Sequence, residues 1–441
     1  MFIMRLLSFA KETLVDAARM LTSKEGLKSL YGVSLYRNAI YLIMTNLAGP
    51  LIGFAFWIVA ARFYTAEDVG LVAALIAILG LLTLLSTLGL DFGLIRFLPH
   101  SGQSANRIIN SSLTISGLAS IVFCGIFLAG INIWSPALLI LVQEPIYLAA
   151  FIAFTVITTL LTIVGSTFIA KRRSSFVMAY SLISGLLKLP LPILLAAFFH
   201  SFGLFASWGL STALALVISI LFFLPRAQPD YHFSIALTKS AINEMVRFSF
   251  INYIAHLCWS LPGSVLPIMV LNMLGAETNA HFYIAWSIGA LLTSFPFAIS
   301  TSLFSEGSYD GQSLSTYVWR SVKLTFLILI PIVVIIVIMA DKLLLLFGNA
   351  YSEGGTTLLY ILALSSFPTA INYIYLTTKR VEKKLAVIIG LSSFIAITTL
   401  ALSYLLLPQM GVNGAGIAWL VTQGIAALMI AASLLRRRRV I

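Results

Sequence analysis

Residues 50–90, PLIGFAFWIVAARFYTAEDVGLVAALIAILGLLTLLSTLGL, contain two long apolar runs separated by a short polar loop at 62–70. The first run begins upstream at residue 38, so that both runs reach the roughly 20 residues that an α-helix needs to cross a hydrocarbon core about 30 Å thick. Because hydrocarbon offers no hydrogen-bond partners, a single segment that crosses it must satisfy its own backbone and is therefore helical. The stretch predicts two membrane-spanning helices joined by a tight turn.

Similar apolar runs recur along the whole chain. The composition is 60% hydrophobic and only 10% charged, with a mean hydropathy of +1.02, and no soluble globular domain is that apolar. The alternating pattern of barrel strands is absent, so we predict an all-α polytopic membrane protein. Its twelve predicted spans are 38–61, 69–90, 108–131, 146–170, 176–199, 203–224, 247–272, 279–303, 318–339, 355–377, 385–407 and 413–435.

The loop at 62–70 has a counterpart about 210 residues further along, at 273–280. Two more landmarks recur at nearly the same offset: Lys171 and Arg172 with Lys379 and Arg380, and Gly203 with Gly411. Duplicated halves are common in transporters. An even number of spans in each half makes the predicted repeat parallel, with two six-helix bundles.

These patterns divide the chain into five segments. Residues 1–37 form a predicted amphipathic helix on the cytoplasmic leaflet, serving either as an interfacial anchor or as a docking site for a partner enzyme. Because this polar segment precedes the first span, no cleavable signal peptide is expected. The bundles occupy 38–225 and 247–435, a cytoplasmic linker occupies 226–246, and the basic tail 436–441 is predicted to contact anionic lipids.

The placement of basic residues predicts the orientation of the chain. All of the 27 lysines and arginines except Arg62, Lys188 and Lys342 fall in one set of alternate loops and at the termini. The positive-inside rule makes that side cytoplasmic, with both termini inside. The net charge of +12 is dispersed over many short loops, which argues against a nucleic-acid partner.

Signs of enzyme chemistry are few. The sequence lacks a Walker A motif, a His-Glu-x-x-His helix and a Gly-x-Ser-x-Gly elbow, so we predict a protein that is not an enzyme. A membrane glycosyltransferase or polymerase remains an alternative. The two cysteines, Cys124 and Cys258, lie in apolar runs and provide neither a disulfide framework nor a metal cluster. No cofactor or metal is predicted.

Two segments carry a resemblance to a known family. The loop that runs from Ala61 and Arg62 to Gly70 resembles the pattern Ala-Arg-x-Leu-Gly-x-Glu-x-x-Gly of prokaryotic polysaccharide exporters, with Tyr64 and Thr65 in place of Leu-Gly. Residues 88–99, LGLDFGLIRFLP, resemble the Leu-Gly-Leu…Arg-Phe-Leu motif that follows the second helix of that family. Over about 34–435 the chain resembles the oligosaccharide-lipid flippase branch of the multidrug/oligosaccharidyl-lipid/polysaccharide exporter superfamily, whose familiar members are the O-antigen flippases.

This resemblance implies a V-shaped pair of bundles around a central cavity in the cytoplasmic membrane. The implied function is flipping of a polyprenyl-diphosphate-linked oligosaccharide by alternating access for cell-surface polysaccharide synthesis. Membrane lipids and glycan-assembly enzymes are the implied partners. A cation-coupled multidrug exporter of the same superfamily is the alternative, but such carriers need a carboxylate inside the membrane, and no predicted span contains a deep one.

Lys188 is the leading candidate for substrate binding. It falls about 12 residues into the fifth predicted span, roughly 18 Å along a helix, which is too deep for easy snorkelling. A cation at that depth costs at least a few kcal/mol unless it meets water or an anion. Either Lys188 faces the cavity and attracts the diphosphate, or backbone carbonyls near the break at Pro190 satisfy it.

Six more residues are candidates for contact with the substrate. Guanidinium groups match phosphate oxygens, and amide or imidazole groups hydrogen-bond sugars, whereas the alternatives are snorkelling arginines and ordinary hydrogen bonds between helices. Arg96 is preferred among the arginines because it lies on the predicted cytoplasmic side, where substrate loads. The six are Arg62, Arg96, Arg247, Asn252, His256 and Asn46.

Overall fold

The computed structural model describes residues 34–229, 231–235, 239–309 and 314–438. The predicted amphipathic helix at the N-terminus therefore lies almost entirely outside the described residues, as does the last part of the basic tail. Within the described ranges the chain is almost wholly helical and contains no strand.

Among the described residues, the first half contains seven helices of eight residues or more. They are α1 (Ser34–Phe63), α2 (Ala66–Thr87), the short α3 (Leu90–Phe97), α4 (Ala105–Ala129), α5 (Pro145–Ala170), α6 (Ser174–Leu187) and α7 (Pro190–Ile218). A π-helical turn, Ser219–Phe223, and a short helix, Leu224–Ala227, continue α7. The non-helical backbone of His200 divides α7 into two parts.

The second half contains six longer helices. They are α8 (Lys239–Leu274), α9 (Ala276–Tyr309), α10 (Leu314–Leu345), α11 (Asn349–Val381), α12 (Leu385–Met410) and α13 (Val412–Arg438). Across the described residues, 11 helical segments are long and apolar enough to cross a membrane, and α1 adds the shorter apolar stretch Ala48–Phe63. All twelve predicted spans fall on these helices, which confirms the predicted fold class.

Local sequence explains where α2 begins. The hydroxyl of Thr65 accepts a hydrogen bond from the Asp68 amide at 3.1 Å, and the Asp68 carboxylate accepts one in return from the Thr65 amide. This capping box satisfies two amides that no helical carbonyl reaches. It also places the negative charges of Glu67 and Asp68 in the first turn, where the helix dipole favours them.

The structure adds detail at the ends of the predicted spans. Residues 131–143, between the third and fourth predicted spans, form short helical segments that extend neither α4 nor α5. Helix α8 begins at Lys239, whereas its candidate spanning part, Phe248–Leu274, agrees with the predicted span 247–272. Helix α2 ends before 90 because Leu88 and Gly89 both adopt left-handed backbone, with φ of 52° and 78°, and α3 starts in a new direction.

Two local backbone conformations occur in both halves. The hydrogen bonds that end α5 at Lys171 to Arg173 recur at Glu382 to Lys384, with positive φ at Arg172 and Lys383. His200 (φ 39°, ψ −136°) is similar to Gly411 (φ 56°, ψ −146°). The predicted internal repeat, with Lys171 and Arg172 paired with Lys379 and Arg380, stays a prediction.

The two halves contact each other at both ends of the helices. At the end that bears the α1–α2 turn, which we call the Arg62 end, Asn279 donates to the Gly70 carbonyl at 2.7 Å. At the opposite end, which bears the α5–α6 turn and which we call the Lys171 end, Tyr253 donates to the Leu85 carbonyl at 3.1 Å. The largest hydrophobic core contains residues of both halves. The V shape implied by the resemblance stays a prediction.

Candidate functional site

A cavity of about 320 Å³ opens among helices α8, α9, α11 and α13 of the second half. It exists because small residues, Gly263, Gly289 and Ala290, face it in place of larger side chains. None of its lining residues carries a charge. The lining consists of Trp259, Ser260, Gly263, Ser264, Trp286, Gly289, Ala290, Thr293, Leu362, Ser365, Thr369, Tyr373 and Trp419.

Four aromatic side chains form the walls of this cavity, and we call them the aromatic cage: Trp259, Trp286, Tyr373 and Trp419. Trp259 and Tyr373 have ring centroids 4.6 Å apart, and the indole N–H of Trp259 donates to the Tyr373 hydroxyl at 3.2 Å. Trp286 and Trp419 pack edge to face at 5.4 Å. In the described chain, the indole N–H groups of Trp286 and Trp419 have no acceptor.

Five hydroxyl groups complete the lining. Thr293, Ser365 and Thr369 each donate to a backbone carbonyl within their own helix, at 2.7–2.9 Å. Their oxygen lone pairs therefore remain able to accept hydrogen bonds. The other two, Ser260 and Ser264, lie one turn apart on α8. The cavity combines apolar ring faces with neutral polar groups, as small-molecule pockets commonly do.

Lys188 lies inside the candidate membrane span Ser174–Ala196, as predicted, at a two-residue interruption between α6 and α7. Helix α6 ends at Leu187 and α7 starts at Pro190, where the proline ring and missing N–H fit the first position of a helix. The ammonium group lies 3.4 Å from the centroid of a Trp208 ring, which is close cation–π contact. Lys188 is half-buried and forms no ion pair with the described residues.

A chain of aromatic contacts leads from Lys188 to the second half. Trp208 packs on Phe56 at 5.5 Å, Phe56 on Trp57 at 5.0 Å, and Trp57 on Tyr283 of α9 at 4.9 Å. Tyr283 lies one helical turn before Trp286, a wall of the aromatic cage. Packed rings thus lead from the cation of the first half to α9, the helix of the second half that contributes Trp286 to the cage.

Arg62 has a structural partner. Its guanidinium donates to the carbonyls of Leu346 at 3.1 Å and Leu345 at 3.3 Å, at the end of α10. A cation in this position interacts favourably with the helix dipole and satisfies carbonyls that lack helical partners. Arg62 therefore ties α1 to the other half at the Arg62 end.

Three of the predicted residues lie on α3 and α8 at the Lys171 end, and no contact among their side chains is seen in the described structure. Arg96 is exposed and lies 5.6 Å from the ring of Phe248, and His256 packs edge to face on Phe92 at 5.7 Å. Asn252 lies half-buried on the same helix, α8, as His256. The side chains of Asn46 and Arg247 lie outside what the structure describes.

Close backbone contacts hold this end together. A side chain at Gly89 would meet Tyr253 at 3.0 Å, and one at Gly93 would meet Met245 at 2.9 Å. Beside them, Oδ1 of Asp91 is buried without a hydrogen-bond partner among the described residues. Asp91 lies in α3, outside the spanning helices, and burial raises its pKa to about 6, against the opposing effect of the Phe92 amide.

No group of three metal-ligating side chains occurs in the described ranges, and Cys124 and Cys258 are both free. Sequence reasoning missed the aromatic cage altogether. One signal was available in the sequence. Tryptophan favours membrane interfaces, so the position of Trp286 well inside α9 is unusual. That signal marks a single residue and does not show that four helices bring four rings together.

Several known proteins resemble the chain. The profile of the family described as "Polysaccharide biosynthesis protein" matches residues 35–305. No curated protein matches the sequence. The lipid II flippase MurJ in an inward closed conformation has a TM-score of 0.75 at 12% identity, covering 89% of this chain and 86% of that one.

Two further solved structures share the fold. An inward-facing multidrug resistance MATE family transporter of the MOP superfamily has a TM-score of 0.67 at 16% identity, covering 90% of this chain and 98% of that one. A MOP superfamily transporter from Pyrococcus furiosus, described as having a binding pocket of reverse polarity, has a TM-score of 0.57 at 16% identity, covering 95% and 98%. At these identities the likeness shows the fold and not the substrate.

Proposed function

Because the chain belongs to the polysaccharide biosynthesis protein family, we propose that it flips a polyprenyl-diphosphate-linked oligosaccharide across the cytoplasmic membrane by alternating access. The observation that carries the proposal is Lys188, a cation without an ion-pair partner among the described residues, placed inside the candidate membrane span Ser174–Ala196. A carrier diphosphate supplies the missing negative charge. Cell-surface polysaccharide synthesis would use the product, with glycan-assembly enzymes as partners.

The contact between Lys188 and Trp208 supports this role. A cation on an aromatic ring gains about 0.5–2 kcal/mol, whereas a charge-assisted hydrogen bond to an anion contributes about 1.5–3 kcal/mol. The aromatic ring therefore keeps the ammonium group in place without a permanent counter-ion. When a diphosphate arrives, the stronger interaction replaces or adds to the weaker one.

The remaining predicted residues belong to the proposed path of the substrate. In the proposed orientation the Lys171 end faces the cytoplasm, where Arg96 engages the diphosphate during loading. Arg247, Asn252, His256 and Asn46 contact the glycan or the diphosphate along the central cavity that the resemblance implies between the bundles, outside the 320 Å³ cavity of the second half. Arg62, whose donors already serve α10, is the weakest member of this set.

Export of cationic drugs is the main alternative, because MATE transporters share the fold. Coupling of such export to Na⁺ or H⁺ requires a carboxylate inside the membrane. Within the described candidate spans, every acidic residue lies in the first or last five residues of its helix, at the Arg62 end: Glu67, Asp68, Glu277, Asp341 and Glu353. This placement favours an anionic substrate. Sugar transfer by the purified protein would instead support a glycosyltransferase.

Substitution of Lys188 tests the proposal. We expect Lys188→Ala to lower flipping of lipid-linked glycan in proteoliposomes by about ten-fold, because one charge-assisted contact is lost. Lys188→Arg should retain more activity than Lys188→Ala. Lys323→Ala is the matched control, since Lys323 also lies over a tryptophan, Trp319 at 5.6 Å, but is exposed on α10. A parental rate for Lys188→Ala at equal protein level would contradict the proposal.

A further inference from the structure

We propose that the aromatic cage binds neutral sugar rings of the lipid-linked glycan, an inference that rests on the proposed function. Lys188 and the cage would then divide one substrate between the two halves of the protein. The diphosphate lies with the first half and the sugars lie with the second.

The walls of the cage match the faces of a pyranose ring. Such a ring presents axial C–H groups on one face and hydroxyl groups around its edge. The faces of Trp259, Trp286, Tyr373 and Trp419 offer broad apolar surfaces for the C–H groups. A volume of about 320 Å³ has room for a short segment of a glycan and not for the whole chain.

The polar groups of the cage match the edge of the same ring. The indole N–H groups of Trp286 and Trp419 have no acceptor among the described residues, so they are free to donate to sugar hydroxyls. Thr293, Ser365 and Thr369 keep lone pairs that can accept from sugar hydroxyls. A sugar ring, which has hydroxyl donors and acceptors around an apolar face, can pair with these indole N–H groups and these hydroxyl oxygens at the same time.

The absence of charge from the lining selects the part of the substrate that binds there. A diphosphate would be desolvated in the cage without any cation to compensate it. Neutral sugar hydroxyls exchange hydrogen bonds with water for hydrogen bonds with the cage at little net loss. Lys188, by contrast, offers a charge and one ring face, so the two sites attract different parts of one molecule.

Both sites border the same aromatic core. Trp208 under Lys188 packs on Phe56, Phe56 on Trp57, and Trp57 on Tyr283 of α9, the helix that also contributes Trp286 to the cage. The first sugar of a lipid-linked glycan is attached directly to the diphosphate. One substrate therefore presents a charged part for Lys188 and a neutral part for the cage.

A lipophilic cation is the competing occupant, because aromatic cages also bind organic cations through ring faces. The test therefore uses three probes on the purified full-length protein in nanodiscs. They are lipid-linked oligosaccharide purified from the source cells, undecaprenyl diphosphate without sugar, and tetraphenylphosphonium. Dissociation constants are measured by microscale thermophoresis.

The variants separate the cage from the rest of the protein. The double variant Trp286→Ala/Trp419→Ala removes one wall, and Trp286→Phe keeps a ring but removes an N–H donor. Trp319→Ala is the matched control, because Trp319 is 64% exposed and lies outside the cage. Unchanged binding of undecaprenyl diphosphate shows that each variant is folded. If the double variant does not fold, the comparison of Trp286→Phe with the parent tests the cage.

We expect the parent to bind the glycan-bearing lipid at least about ten-fold more tightly than undecaprenyl diphosphate. The double variant should lose most of this preference, Trp286→Phe should lose part of it, and Trp319→Ala should keep it. Retention of the full preference by the double variant would overturn the cage assignment. The assignment would also be overturned if the parent and the other variants bound tetraphenylphosphonium and the double variant did not. If the parent binds both lipids equally, the assignment of the cage to sugars is wrong and the proposed function is unaffected. If the parent binds neither lipid, the proposed function is contradicted as well.

Discussion

At the scale of single residues, the informative groups are those whose charge has no ordinary partner. Lys188 was recognised from the sequence because a lysine inside an apolar run is conspicuous. Its contact with Trp208 was not predictable, because it depends on how α6 and α7 pack after the break at Pro190. A buried group can thus be identified from sequence, while its partner requires the fold.

Asp91 provides a prediction of pH dependence. Burial raises its pKa from 3.8 to about 6, so between these values the folded protein binds a proton that the unfolded chain releases. Stability from this group is therefore present at low pH and is lost as the pH rises through about 6. We expect Asp91→Asn to raise the melting temperature relative to the parent at about pH 7.5 and to change it much less at about pH 4.5.

Melting temperatures of the two proteins in one detergent, measured across that pH range, check this expectation. Asp341→Asn is the control, because Asp341 is exposed at the end of α10. Parallel pH profiles for the parent and Asp91→Asn would show that the buried carboxylate does not govern this dependence.

At the scale of helices, the two halves share local backbone conformations at residues of different type. His200 and Gly411 both have positive φ and strongly negative ψ, a region that glycine adopts far more readily than other residues. We expect Gly411→Ala to destabilise the protein by about 1–3 kcal/mol. Unfolding in detergent against denaturant measures the change.

Gly390→Ala is the matched control for this prediction. Gly390 lies inside α12, and a Cβ added there meets nothing within 4 Å. Alanine is favoured over glycine inside a helix by about 0.5–1 kcal/mol, so this variant should be neutral or slightly more stable. Equal stability of the two alanine variants would contradict the assigned strain.

The same helices show how far sequence reasoning reached. Length and apolarity located all twelve spans, because a bilayer fixes both. The predicted repeat pairs Lys171 with Lys379 by residue type, whereas the backbone hydrogen bonds at Lys171 resemble those at Glu382. Hydrogen bonds that form turns leave little trace in residue type, so the sequence does not show this second similarity.

At the scale of the whole molecule, contacts between the halves at the Arg62 end depend on one glycine. A Cβ at Gly70 would overlap the carbonyl of Ala276, beside the hydrogen bond from Asn279. We expect Gly70→Ala to separate α2 from α9 and to raise the population of a state open at this end. Distances between spin labels attached near Thr65 and Glu277 measure the opening.

Gly80→Ala is the control in the same helix, because nothing lies within 4 Å of the added Cβ. Its distance distribution should match that of the parent. If Gly70→Ala also matches the parent, the close approach at Gly70 does not control closure. The aromatic cage belongs to this scale as well, because four helices contribute to it and no single segment of sequence indicates it.

The orientation of the chain is the remaining prediction at this scale. The asymmetry of lysine and arginine places the α5–α6 turn in the cytoplasm and the α8–α9 turn outside. In a protein whose Cys124 and Cys258 are replaced by alanine, an impermeant maleimide should label Glu277→Cys in intact cells. Arg172→Cys should react only after permeabilisation, and its labelling in intact cells would reverse the assigned orientation.

Closure at both ends also affects how binding measurements should be read. Asn279 and Gly70 at one end, and Tyr253 and Leu85 at the other, hold the halves together in the same conformation. If only an open minority can admit a large lipid, the apparent dissociation constant equals the intrinsic one divided by the open fraction. Weak binding by the resting protein would then reflect the small population of the open conformation and not a low intrinsic affinity of the site. Substitutions that loosen either end should tighten apparent affinity without touching a single ligand contact.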